Sequence, residues 1–128
     1  MNKELILKDL SARLRYGVIC KWTFYDGSER NEELKELSDL NIFFITKAKD
    51  VEVIPYLRSM SSMTVDESQE LFELLYNVEK LSFSEVLFNN KGIISNVYEW
   101  LLKNHFDFRG LIEKGAAFEA PEGMYKGE

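Results

Sequence analysis

The sequence predicts an α+β domain: a small antiparallel sheet of three to four strands packed against N-terminal, middle and C-terminal helices. Three observations predict it. Apolar residues Ile6, Leu10 and Leu14 recur at i+4 near the N-terminus, the spacing of one helix face. Val18–Tyr25 (VICKWTFY) is β-branched and aromatic and runs into Asp26-Gly27, a hairpin dipeptide. Thr64-Val65-Asp66-Glu67 is a capping box in front of another periodic stretch.

The first helix runs from Asn2 or Lys3 to Arg15, with Leu7 beside its apolar face and Lys3, Lys8, Arg13 and Arg15 mostly off it. Gly17 ends it. In the strand that follows, Val18, Cys20, Trp22 and Phe24 share one face. Ser28–Leu40 has two descriptions. Leu34, Leu37 and Leu40 stand three apart, as in a helix, whereas the Asp26-Gly27 turn calls for a returning strand. The strand is favoured. Asn41 interrupts the chain, and Ile42–Thr46 (IFFIT) reads as a strand. After a polar turn, Val51–Ile54 extends toward Pro55, which lacks an N–H and suits a strand end or edge. Pro55–Met63 reads as irregular.

The Thr64 capping box opens a helix reaching about Asn77. It is expected to bury Leu71, Phe72, Leu75 and Val78 and to carry Asp66, Glu67, Glu70 and Glu73 outside. Acids in the first turns favour the helix N-terminus, so they need no ligand. Phe83–Phe88 (FSEVLF) reads as a strand and Asn89–Gly92 as a turn. Ser95 or Asn96 then caps a helix presenting Val97, Trp100 and Leu101, widened by Tyr98 and Leu102, and ended by Asn104 and His105. Asp107 caps a short second helix over Phe108–Lys114, with Gly115 in the left-handed position behind it. Phe106, Phe108, Leu111 and Ile112 pack in the elbow. The tail Glu119–Tyr125 docks on its own domain or on a neighbour.

The totals fit one domain. The chain has 128 residues, of which 45% are hydrophobic and 13% aromatic, enough for a core. Its longest apolar runs fall short of the roughly 20 residues that span a bilayer. The charged N-terminal decade does not resemble a signal peptide. A single cysteine cannot make an internal disulfide. The expected compartment is the cytoplasm, with no membrane partner. The net charge is −6, with the acids concentrated between Trp22 and Asn90. An acidic middle argues against a nucleic-acid surface and for a solvated face or one offered to a basic partner.

One histidine and one cysteine restrict catalysis. Cys20 alternates with Trp22 on an apolar face, as a buried thiol does. His105 either caps its helix or fills the elbow. The chain lacks the ligands of a structural zinc site, and no cofactor or metal is expected. One enzymatic pattern has named residues: Asp26 with Glu33-x-Lys35 follows the metal-dependent nuclease arrangement of carboxylates and lysine. Asp107 and Arg109 either pair with each other or neighbours to fix the elbow, or present Arg109 to a partner as an arginine among aromatics. A binding surface is expected near Pro55–Met63, with Tyr56 and Arg58, or in His105–Tyr125, with His105, Asp107 and Arg109.

Two stretches, PYLRSMSSMT (Pro55–Thr64) and NHFDFRGLIEKGAAFEAPEGMYK (Asn104–Lys126), resemble signatures of a family of small proteins from Bacteroidales genomes and their prophage-like regions. SARLRYGV (Ser11–Val18) resembles the end of that family's first helix. The chain departs from the pattern at Ser59, where a second proline is usual, at Asn104 for a frequent histidine, and at Phe108 for a frequent tyrosine. The resemblance implies a cytoplasmic, phage-associated α+β protein with a β-rich middle, and so a strand in Ser28–Leu40. It brings no catalytic residues. The implied function is that of a non-enzymatic accessory protein acting on a host or phage protein. The alternatives are the nuclease of Asp26, Glu33 and Lys35, and an acidic decoy for a DNA-binding protein.

Overall fold

The computed structural model describes residues 3–79 and 96–125. Helix α1 (Lys3–Arg13) tightens into a 3-10 turn over Leu14–Tyr16. Gly17 closes that turn in the left-handed region at φ 75°, and the carboxyl of Glu33 lies where a side chain at residue 17 would project. Strand β1 (Ile19–Thr23) then pairs antiparallel with β2 (Glu29–Glu33). Asp26 shapes the hairpin loop by accepting from both the N–H and the hydroxyl of Ser28. The hairpin predicted from Asp26-Gly27 forms, but β2 stops at Glu33.

The next element corrects the sequence expectation. IFFIT is not a strand; Asp39–Thr46 forms helix α2. Ser38 caps it by accepting from the N–H of Asn41, so Asn41 lies inside the first turn rather than breaking the chain. A short apolar run has no periodicity of its own, and the cap decides. α2 buries Ile45 and leaves Leu40 and Phe43 exposed.

Strand β3 (Glu52–Leu57) pairs antiparallel with β1, and β4 (Phe118–Glu119) joins it in parallel. The sheet order is β2-β1-β3-β4. Pro55–Leu57 therefore belongs to a strand, not to an irregular segment. Pro55 is tolerated there for a traceable reason. Phe24 N–H bonds Ser28 C=O and Leu34 N–H bonds Val18 C=O. Even-numbered residues of β1 thus spend their backbone groups on β2, and odd-numbered ones face β3. Pro55 stands opposite Cys20, in a pair that exchanges no backbone hydrogen bond, so its missing N–H costs the ladder nothing.

Helix α3 (Val65–Glu79) opens on the expected capping box. Thr64 N–H donates to Glu67 at 2.9 Å, and Glu67 N–H donates to the Thr64 hydroxyl at 3.1 Å. Its faces differ from expectation. Phe72 and Leu75 are exposed, Leu71 is half-buried, and Glu67 is buried rather than outward. The Val78 side chain, Phe83–Phe88, Asn89–Gly92 and Ser95 lie outside the described residues. Residues 96–103 form helix α4, whose most buried residue is Leu102.

Two left-handed caps make the elbow. At the end of α4, His105 N–H bonds Leu102 C=O and Phe106 N–H bonds Leu101 C=O, with His105 at φ 61°. That pattern places a histidine where glycine or asparagine is usual. The short helix expected over Phe108–Lys114 does not form. Gly110, at φ 72°, turns the chain out of the helical path, and a single turn follows. Asp107 caps that turn through the N–H groups of Leu111 and Ile112, and Gly115 ends it as expected.

The core lies on the sheet face under α1 and α2. Ile6, Leu10, Val18, Cys20, Leu34, Ile45, Val53, Leu57 and Leu111 are its buried centre. Asp9 and Arg13 are also fully buried in α1, so Arg13 lies on the helix face that sequence spacing assigned to apolar residues. The tail docks on its own domain. Its Tyr125 hydroxyl accepts from Ile19 N–H at 3.0 Å and donates to Tyr56 C=O at 2.6 Å. Those two residues come next in the β1–β3 register, so the hydroxyl replaces ladder bonds where the strands part. Removing it leaves two part-buried backbone groups without that partner. Tyr125→Phe is expected to lower unfolding free energy by about 1–3 kcal/mol, read as a lower urea midpoint with unchanged slope.

Candidate functional site

Of the five residues singled out from the sequence, Arg58, His105, Asp107 and Arg109 lie at the elbow between β3, α3 and α4, whereas the Tyr56 side chain turns toward β2 and β4. The side chains at the elbow are engaged in holding it together. Arg58 is buried and makes a bidentate pair with Glu67, at 2.6 and 2.7 Å. It also donates to Ser62 C=O and stacks on Phe106, 4.3 Å from the ring centroid. The Arg58 guanidinium, chiefly, holds the Glu67 carboxyl down at about 2. Asp107 is spent on Leu111 and Ile112, not on Arg109. Arg109 pairs with buried Asp9 and donates to the Tyr98 hydroxyl, while its guanidinium lies over Phe108. Tyr56 bonds the Asn31 side chain and packs on Phe118.

His105 is buried and stacked on Tyr125, ring centroids 3.8 Å apart. Burial, then the charge of Arg13, pushes its pKa down to about 4, against a smaller opposing effect of its hydrogen bond to Tyr16 C=O. The ring is therefore neutral at pH 7. Its Nδ1 has no hydrogen-bond partner among the described residues. His105, Tyr125, Tyr16, Glu33 and Lys103 line a cleft of about 540 Å³.

The nuclease pattern does not assemble. Asp26 sits in the loop between Thr23 and Glu29, whereas Glu33 pairs with Ile19 at the other end of the hairpin. Five strand residues separate the two ends, roughly 17 Å at 3.3–3.4 Å per residue. Asp26 is instead bound to Ser28, which lowers its pKa. Cys20 is fully buried, and burial pushes its thiol up to about 12, out of reach as a nucleophile.

A larger opening lies elsewhere. A groove of about 880 Å³ runs between the β1–β2 hairpin and α2. Trp22, Phe24, Leu34 and Phe44 supply its apolar surface, and Glu32 and Glu36 are among its charged side chains. The Trp22 side chain is almost wholly buried, and its indole Nε1–H has no partner among the described residues. The groove exists because α1 and α2 cover β1 and β3 but leave the inner face of β2 open. Nothing in the alternation of VICKWTFY marks it. No protein-family model, curated protein or solved structure matches the chain.

The elbow gives the fold an acid-sensitive side. His105 has a folded pKa below its ordinary 6.5, so the unfolded chain takes up its proton first as pH falls. Its contribution is complete above pH 6.5 and is lost as pH drops toward about 4. Glu67, also depressed, contributes above about 4.5 and loses that contribution toward about 2. Urea midpoints are expected to fall from pH 7 to pH 4.5, with a smaller fall in His105→Asn, which keeps a residue tolerant of the left-handed cap. An equal fall in the variant would place the pH sensitivity elsewhere.

Proposed function

We propose that the chain is a non-enzymatic accessory protein of a phage or mobile element, acting by binding another protein through the face built from the β1–β2 hairpin and α2. One observation carries this: α2 exposes Leu40 and Phe43, three residues apart on one helix face, beside the groove floored by Trp22, Phe24 and Phe44. An apolar patch beside an apolar groove with charged walls fits a protein-binding surface. The setting rests on the Pro55–Thr64 and Asn104–Lys126 resemblance. Two further observations support binding over catalysis. The Cys20 thiol is held protonated inside the core, and Arg58, Asp107 and Arg109 hold the elbow. The acids of β2 fall on both faces of the strand, Glu32 with Cys20 and Glu29 with Thr23, which disfavours a single acidic row mimicking DNA.

The test is capture from lysate of the native host with tagged wild type and with Leu40→Glu/Phe43→Glu, followed by reconstitution of the captured protein in purified form. A stoichiometric partner is expected, bound at least about tenfold more weakly by the variant. No partner, or one bound equally by the variant, overturns the assignment of the surface.

A further inference from the structure

The outer edge of β2 leads one step further. The ladder bonds fix which way its backbone faces. Leu34 N–H bonds Val18 C=O and Phe24 N–H bonds Ser28 C=O, so Arg30 and Glu32 spend their backbone groups on β1. Glu29, Asn31 and Glu33 turn theirs to the opposite side, and β2 is the end strand of the sheet. No strand pairs with that edge among the described residues, and all five β2 residues are exposed. An edge of this kind accepts an added strand, with main-chain bonds supplying affinity and alternate side chains supplying selectivity.

The side chains around that edge define what it selects. Arg30 and Glu32 lie on the face of Trp22 and Cys20, toward the groove; Glu29, Asn31 and Glu33 lie on the other face. Arg30 is already paired with Glu32 at 3.4 Å and stacked on Phe24. From Glu29 to Asp39 there are five acids against two bases. A strand laid along β2 therefore meets the paired Arg30 and Glu32 on the groove face, and on the other face Glu33 and Glu29, the latter shared with Lys21 at 3.1 Å. Its groove-side residues meet the apolar floor supplied by Trp22, Phe24 and Phe44.

We propose that β2 and the adjoining groove bind an extended, lysine- or arginine-bearing segment of a partner protein as a fifth strand, with alternate apolar side chains in the groove. This rests on the protein-binding function above and names the chemistry of the partner.

The probe is a fluorescein-labelled nonapeptide alternating lysine and valine, titrated with the full chain and read by fluorescence anisotropy, with Trp22 emission followed in a Trp100→Phe background. Saturable one-to-one binding that shifts Trp22 emission is expected. Asn31→Pro removes the central outward N–H without cutting the β1 ladder and is expected to weaken binding at least about tenfold. Asn31→Ala keeps that N–H while losing the same side chain, and is expected to bind more tightly than Asn31→Pro. Glu29→Lys/Glu33→Lys reverses the charge on the face that meets the peptide's lysines without introducing a proline, and is expected to weaken binding by a similar factor. Equal binding by Asn31→Pro and Asn31→Ala, with both folded by circular dichroism, overturns the added strand. Undiminished binding by the charge-reversal variant overturns the basic selectivity. Concentration-dependent dimerisation of wild type that Asn31→Pro abolishes overturns the heterologous partner in favour of a second copy. Failure of the peptide to bind, while Leu40→Glu/Phe43→Glu still loses its captured protein, sinks the basic strand alone. Failure of both sinks the protein-binding function as well.

Discussion

The pairing of Arg58 with Glu67 is the contact on which most of the chain's geometry depends. Arg58 follows directly on β3, and Glu67 lies in the first turn of α3, so their two bonds at 2.6 and 2.7 Å fix the helix to the end of the sheet. The same carboxylate closes the capping box at Thr64, and the same guanidinium covers Phe106. The Arg58 backbone is tied in as well, its N–H to His105 C=O and its C=O to Asp107 N–H. Ion pairs removed from water return little net stability, because desolvation offsets the attraction. Removing one partner is different and costs about 3–5 kcal/mol, since the other charge stays buried. What this pair supplies is position: one orientation of α3 and the elbow against the sheet.

A second buried network meets the elbow from the other side. Arg13 bonds Asp9 at 2.8 Å and Phe106 C=O at 2.6 Å, and Arg109 reaches the same aspartate. Phe106 is thus held by its carbonyl from α1 and by its ring from Arg58 and Trp100, the latter stacked at 5.6 Å. Arg13 is buried in a helix with an apolar stripe because Asp9, one turn earlier, neutralises it and the Phe106 carbonyl accepts a second of its N–H groups. The consequence for function is direct. The residues of the C-terminal half that look most reactive are consumed in keeping the elbow closed, and the open surface moves to the opposite edge of the sheet.

The fold class was legible because its main signals are local. The alternation of Val18 to Phe24, the Asp26-Gly27 turn and the Thr64 capping box each act within a few residues, and each formed as expected. Errors arose where a distant contact decided. IFFIT is a helix because Ser38 caps it and because Ile45 reaches the core, neither of which its apolar run reveals. Glu67 is buried because Arg58 arrives from another element, so helix position alone assigned it to solvent. Phe72 and Leu75 stand exposed although they follow the helical period. His105 was recognised as a helix end but not as a left-handed cap, since histidine is an unusual choice there. The groove was invisible for the same reason as the helix: it is the space left when α1 and α2 settle over β1 and β3 rather than over β2.

An exposed edge strand carries a risk of pairing with itself, and the charges on β2 bear on that risk. Two copies meeting antiparallel through their outward backbone groups would centre on Asn31. Glu29 would then stand opposite Glu33 twice on one face, a like-charge arrangement that opposes association. On the other face Arg30 would stand opposite Glu32, a pairing each copy already makes internally. Self-pairing thus gains little on one face and loses on the other. A basic strand reverses the balance at Glu29 and Glu33 without disturbing Arg30. The substitutions that would make β2 a neutral, ordinary strand would also remove this discrimination, so the glutamates that keep the edge from joining its own kind select for a partner of opposite charge.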